Sequence, residues 1–363
     1  MQATELEIAR ENAAKARLDS KGEPPAGARD ATQRIPLPVM YAALCLLLGL
    51  VALASLLVGS GDLSDVRLSS TFLELRATRF SAAFLAGSSL AVGGVMVQGL
   101  FRNPLAEPSI LGTTAGASLG GKLAMLSFQV LAGGAVGTMV APEMMLPLGC
   151  VIGACAALAA LLMVQRTGDD VVVLLLTGFL LSSLFVALGG LATSLAMERW
   201  ELARAMLDFA LGDVSGVGVQ RVVLAAPLVV FGLVAAYLWA PTLDLMLSGE
   251  EEAAALGVEV REVRVACVLW AGILTAAAVS IGGQVGFVGL IVPHALRPLL
   301  GVSHRKLIPA AALLGGTFVA ACDVLTRALP TRAEMPLGVV TGLIGAPLFL
   351  VLLLRSRREA RHG

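Results

Sequence analysis

Charged and aromatic side chains are both scarce in this sequence. Only 14% of the 363 residues are charged and 5% are aromatic, where an ordinary soluble domain carries about a quarter charged residues; the soluble globular classes are thereby excluded. The 26 basic and 26 acidic residues cancel, so the chain has neither the broad basic face that nucleic acid requires nor an acidic face for cationic partners. Histidine is confined to His294, His304 and His362, and no acid–base pair emerges from them, so no catalytic set is expected. His294, following Pro293 within an apolar run, reads as a hydrogen-bonded structural residue. Cys45, Cys150, Cys155, Cys267 and Cys322 lie in apolar runs without ligand-type spacing; they read as small hydrophobes, with no metal site and no disulfide framework.

Apolar residues are what the chain has in excess, at 57%. A bilayer-crossing helix needs about 20 mostly apolar residues, and runs of that kind follow one another almost from end to end. The hydropathy pattern predicts ten spans, near 37–58, 79–100, 110–130, 146–164, 171–196, 222–239, 265–281, 285–300, 307–325 and 337–354. The expected class is an all-α integral membrane protein. Its domains are a polar tail over 1–35, a ten-helix membrane domain over 36–355, and a tail over 356–363. The first apolar run exceeds the core of a cleaved signal, so the polar tail is expected to stay attached.

An even number of spans puts both termini on one side. Taking that side as cytoplasmic places 17 of the 26 lysines and arginines inside, as the positive-inside rule asks. Two four-span blocks, about 79–196 and 265–354, would then start from opposite sides, an arrangement compatible with an inverted repeat.

Several local patterns carry chemistry. Gly116, Gly121 and Lys122 have the spacing of a phosphate-binding loop. Leu123, however, stands where the magnesium-binding hydroxyl is needed, and the segment lies in a membrane run. ATP hydrolysis is therefore not expected of this chain. In LRATRF, Arg76 and Arg79 stand three apart on one helical face at an external membrane end, where their charges would remain hydrated; Arg327 adds a third positive charge on the same side. Docking of a partner's carboxylates and anchoring of the helix end both fit these arginines. Asp323, four residues before Arg327, is placed to pair with it locally or to serve a proton path. The segment 248–264, SGEEEAAALGVEVREVR, reads as a short helix with glutamates at its start and Gly257 at its end. Such a helix either transmits motion from another subunit or lies at the interface.

Three stretches, LFRNPLAEPSILGTTAGASLG (100–120), GFVGLIVPHALRPLLG (286–301) and EMPLGVVTGLIGAPLFL (334–350), together resemble the FecCD-type permeases, the ten-span subunits of type II ABC importers for ferric siderophores, haem and cobalamin. The resemblance runs from about Asp65 to Arg355. It implies a homodimer, or a pair of like permeases, enclosing a central path. It also implies two cytoplasmic ATP-binding cassette subunits, a periplasmic substrate-binding protein and a location in the bacterial inner membrane. No cofactor is expected on this chain, ATP being used by the partner subunits.

By the same resemblance 248–258 is the coupling segment, with Glu250, Glu251, Ala254, Leu256 and Gly257 at the ATPase contact, and Arg76, Arg79 and Arg327 dock the binding protein. Gln98, Ser182 and Ser183 are candidate polar groups of the path, each with an interhelical hydrogen bond as the alternative role. Ferric siderophore is the expected cargo. Haem and cobalamin are the alternatives, and an ion-coupled secondary transporter is the rival class.

Overall fold

The computed structural model describes residues 36–59, 68–131, 142–165, 171–328 and 335–362. The expected N-terminal tail and much of the two connections at 60–67 and 329–334 lie outside the described residues. Within them the chain forms twelve α-helices: α1 (Leu37–Leu57), α2 (Ser69–Leu100), α3 (Thr113–Leu131), α4 (Pro142–Gln165), α5 (Val171–Leu195), α6 (Trp200–Leu211), α7 (Val219–Met246), α8 (Glu250–Ala255), α9 (Val260–Gly282), α10 (Val288–Leu300), α11 (His304–Ala328) and α12 (Leu337–His362). A 3₁₀ turn, Pro108–Leu111, precedes α3.

All ten predicted spans fall on helices. Seven of these, α1, α2, α4, α5, α7, α9 and α11, are long and apolar enough to cross a bilayer, while α10 and Leu337–Val351 of α12 are shorter apolar helices. The 32-residue α2 starts ten residues earlier than hydropathy predicts. At about 1.5 Å per residue it is about 48 Å long, so its polar first turns extend beyond a hydrocarbon layer of about 30 Å. The 13-residue α10 spans only about 20 Å, and the rest of its crossing is irregular backbone. Helix α12 runs on to His362 without a break at 355. Two helices lie outside the ten spans: α8, which was expected, and α6.

Lipid tails are as apolar as leucine, so hydrophobicity does not decide which helices go to the centre of a membrane bundle; small residues, which allow close approach, do. Helix α2 carries Ala82, Ala83, Ala86, Gly87, Ser88, Ser89, Ala91, Gly93 and Gly94, all buried. Together with α9 and α11 it forms the interior, whereas the leucine-, valine- and phenylalanine-rich α1, α5 and α7 leave most of their surface outside. The seams are glycine on glycine. A Cβ on Gly87 would overlap the Gly315 carbonyl of α11, one on Gly94 the backbone of Gly289 in α10, and one on Gly120 the Gly149 carbonyl of α4. Gly116 and Gly153 extend the α3–α4 seam by one turn.

Candidate functional site

Four chain interruptions converge in the interior. Helix ends leave carbonyls short of helical donors, and at the end of α6 donors come from elsewhere: Phe209 O, which accepts the capping Gly212 N–H (3.4 Å), also accepts from Gln284 N–H (3.2 Å), and Gly212 O accepts from Leu337 N–H (2.8 Å). The end of α6 is thereby joined to the break between α9 and α10 and to the start of α12. The loop after α2 arrives from the other side. Glu107 Oε1 accepts from the Phe287 N–H (3.3 Å), at a residue whose φ of +68° puts it in the left-handed region immediately before α10.

Between these ends lies a cavity of about 360 Å³ lined in part by Leu90, Glu107, Ser109, Thr114, Gln284 and Gly338. Irregular backbone at membrane depth persists where it is buried in protein or lines a cavity. Here each of the two expected four-span blocks is interrupted just after its first helix, and the two breaks meet at Glu107 and Phe287.

None of the three expected path residues lines this cavity. Gln98 is 1% exposed and joins two helices. Pro293 has no N–H to give to Gly289, four residues earlier in α10, and Gln98 Nε2 supplies the missing donor at 3.0 Å. The other end of the same amide accepts from Arg297 (3.0 Å). Ser182 donates to Ser109 O across to the 3₁₀ turn (3.2 Å), and Ser183, on the exposed face of α5, donates to Phe179 O of its own helix (3.0 Å). The bonds of Gln98 and Ser182 between elements are the alternative role read from the sequence, whereas Ser183 bonds only within its own helix among the described residues.

The three expected docking arginines do come together, but inside the protein, which corrects the expectation that their charges stay hydrated. The carbonyls that end α1 have no helical donors, and arginines serve as their cap. Arg76 donates to Leu56 O (2.7 Å) and Gly59 O (3.1 Å). Arg327 donates to Val58 O (2.7 Å), Ser55 O (3.1 Å) and Ser55 Oγ (2.8 Å). Arg79 meets Asp323 at 2.7 Å and Arg327 meets it at 2.8 Å. The local Asp323–Arg327 pair is as expected, and the carboxylate, 1% exposed, is shared with Arg79.

At the opposite end of the bundle the short helix α8 is closed as its sequence predicts. Gly249 enters at φ +134° and Gly257 leaves at φ +87°, backbone that favours glycine. Val258 N–H returns to Ala253 O and Gly257 N–H to Ala254 O, the two bonds of a Schellman cap. Ala253 faces inward and is fully buried; Glu251, Ala254, Leu256 and Gly257 face outward, with Leu256 66% exposed. Glu250 differs from its neighbours, because both its oxygens accept from Arg264 of α9 (3.1 and 3.2 Å). Its carboxylate anchors the helix to the bundle.

Sequence reasoning passed over Glu107, Gln284, Asp244 and His304. Glu107 had a signal, an acidic residue between Pro104 and Pro108 in an otherwise apolar stretch. The other three owe their roles to contacts with residues distant in sequence.

A small-residue helical core, an interior cavity at broken helices and a short capped helix offered at one end define a membrane transport subunit. The family model described as the FecCD transport family matches residues 39–355. The hemin transport system permease protein HmuU of Yersinia pestis is 34% identical over 91% of this chain and 99% of its own length. The Fe(3+) dicitrate transport system permease protein FecD of Escherichia coli is 36% identical over 78% and 85%. A metal-chelate type ABC transporter solved in an inward-facing conformation superimposes with a TM-score of 0.77 at 31% identity, covering 88% of this chain and 99% of that one. The chain belongs to the FecCD transport family: it is a multi-span permease subunit of an ABC importer, a transport component and not an enzyme.

Proposed function

We propose that this permease carries an iron chelate, with ferric siderophore as the cargo, from periplasm to cytoplasm across the bacterial inner membrane. In this reading it works as a homodimer around a shared path, with both termini cytoplasmic. Two ATPase subunits sit against the α8 end. The single observation that carries the reading is α8 itself, pinned to α9 by Glu250 and Arg264 while it presents Glu251, Ala254 and Leu256 outward. The iron-chelate cargo is supported by FecD and by the metal-chelate type neighbour. The length of the match to HmuU favours haem as the second reading.

A soluble binding protein would dock at the other end, at Arg76, Arg79 and Arg327, of which Arg76 and Arg327 hold the end of α1 in place and Arg79 pairs with Asp323. Ion coupling through Asp323 is disfavoured, since two arginines already hold its carboxylate.

The test is uptake into liposomes carrying the permease with its cognate ATPase and binding protein, offered ferric siderophore, haem and cobalamin in turn. ATP-dependent uptake of the siderophore is expected. Leu256→Glu should lower stimulated ATP hydrolysis about tenfold, equivalent to about 1.4 kcal/mol, without loss of folded permease, because the side chain is mostly exposed. Uptake of haem or cobalamin alone would reassign the cargo, and uptake without ATP would overturn the importer reading.

A further inference from the structure

Beside α8, three helices meet at His304. Asp244 lies in the last turn of α7, and only Leu247–Gly249 separates that helix from α8. Its carboxylate reaches the start of α11. Oδ1 accepts from the His304 backbone N–H (2.7 Å) and lies 2.7 Å from His304 Nδ1, while Oδ2 accepts from the Ser303 hydroxyl (3.1 Å). The imidazole is completely buried. Its far edge, Nε2, has no hydrogen-bond partner among the described residues and rests against Gly99 of α2, where a Cβ would overlap it. A ring gripped at Nδ1 and bare at Nε2 makes a steric contact with α2; only a glycine leaves room for it.

Gly99 stands where α2 ends. Arg102 N–H returns to Gly99 O (3.3 Å) and Asn103 N–H to Gln98 O (3.2 Å), a Schellman cap built on Arg102 at φ +48°. From that cap hang residues 103–107, and at their end Glu107 closes on Phe287 in the cavity wall. Push on the His304 ring, and the force arrives at the cap that sets the direction of this loop. Densely packed interfaces pass on displacement because they have little void to absorb it.

We propose that Asp244 and His304, seated on Gly99, form the strut that carries displacement of α8 to the cavity wall at 103–109. Both are positioning residues, and the proposal rests on α8 being the ATPase contact.

It is tested on the assembled transporter, in a permease whose five cysteines are replaced by alanine. Spin labels are placed either at Glu252→Cys on α8 or at Leu105→Cys on the loop, both exposed positions, and the distance between the two copies is read without nucleotide and with ADP–vanadate. With the strut intact, both distances should change. With His304→Ala, which leaves Asp244 its bonds to Ser303 and to the residue 304 backbone N–H, the Glu252→Cys distance should still change. The Leu105→Cys distance should not, and uptake should fall about tenfold or more while ATP hydrolysis persists. Asp244→Asn, whose amide oxygen can still accept, should fall between, and Gly99→Ala should repeat the loss by displacing the ring. A Leu105→Cys shift that survives His304→Ala or Asp244→Ala overturns the strut. Absence of any shift at Glu252→Cys with the strut intact overturns the coupling reading beneath it.

Discussion

Gln98 shows how a single polar side chain in this membrane protein is committed by a backbone vacancy elsewhere. Gly289 O lost its helical donor to Pro293, and Gln98 replaces it across the α2–α10 seam. An acceptor left without a donor in a buried site costs about 1–3 kcal/mol, so Gln98→Leu should destabilise the permease by about that much in a thermal unfolding measurement. Pro293→Ala restores an N–H to the residue that faces Gly289 O. The same Gln98→Leu change should then cost less, with a coupling energy of about 1 kcal/mol between the two positions. Equal costs in both backgrounds would mean that the amide serves chiefly as the acceptor for Arg297. The glutamine was visible in the sequence as a polar group within a span. Its partner was not, because 191 residues separate the two.

At the scale of elements, the glycines separate into those that set helix distance and those that do not. Gly120 faces the Gly149 carbonyl so closely that a methyl group has no place, whereas Gly190 has open space where a Cβ would stand. Gly120→Ala should cost about 1–3 kcal/mol through overpacking. Gly190→Ala should be neutral or stabilise α5 by up to about 1 kcal/mol through helix propensity. Unfolding of the two variants side by side checks this, and a comparable loss in both would show that the α3–α4 seam yields by separating. Helix α8 was readable in full from Gly249, its three glutamates and Gly257, since both its caps are local. Helix α6 was not: it lies outside the apolar spans, and the burial of Leu202, Ala203, Met206 and Phe209 and the part its last turn plays in the cavity rest on contacts with residues distant in sequence.

For the whole molecule, the buried position of the arginines decides what a charge reversal will report. Arg79→Glu would place a second carboxylate against Asp323 and leave the end of the bundle with like charges in a nearly dry site, where breaking a buried pair costs about 3–5 kcal/mol. That variant should fail to accumulate in membranes. Arg204→Glu, at a side chain 71% exposed whose partner Asp208 stands 3.8 Å away, should accumulate normally. Membrane yield of the two variants measures the contrast. If Arg79→Glu accumulates as well as Arg204→Glu does, the Arg79–Asp323–Arg327 cluster contributes little to folding. The sequence by itself determined the all-helical membrane class, the positions of the ten spans and the shape of α8, because hydropathy and helix caps are properties of neighbours along the chain. Only the tertiary structure decided which helices are central, that Arg76 and Arg327 cap α1 from within while Arg79 pairs with Asp323, and that Glu107 and Phe287 meet at a cavity. Those outcomes depend on pairing backbone groups and small residues far apart in sequence, and in a bilayer such pairing, rather than hydrophobicity, chooses the neighbours.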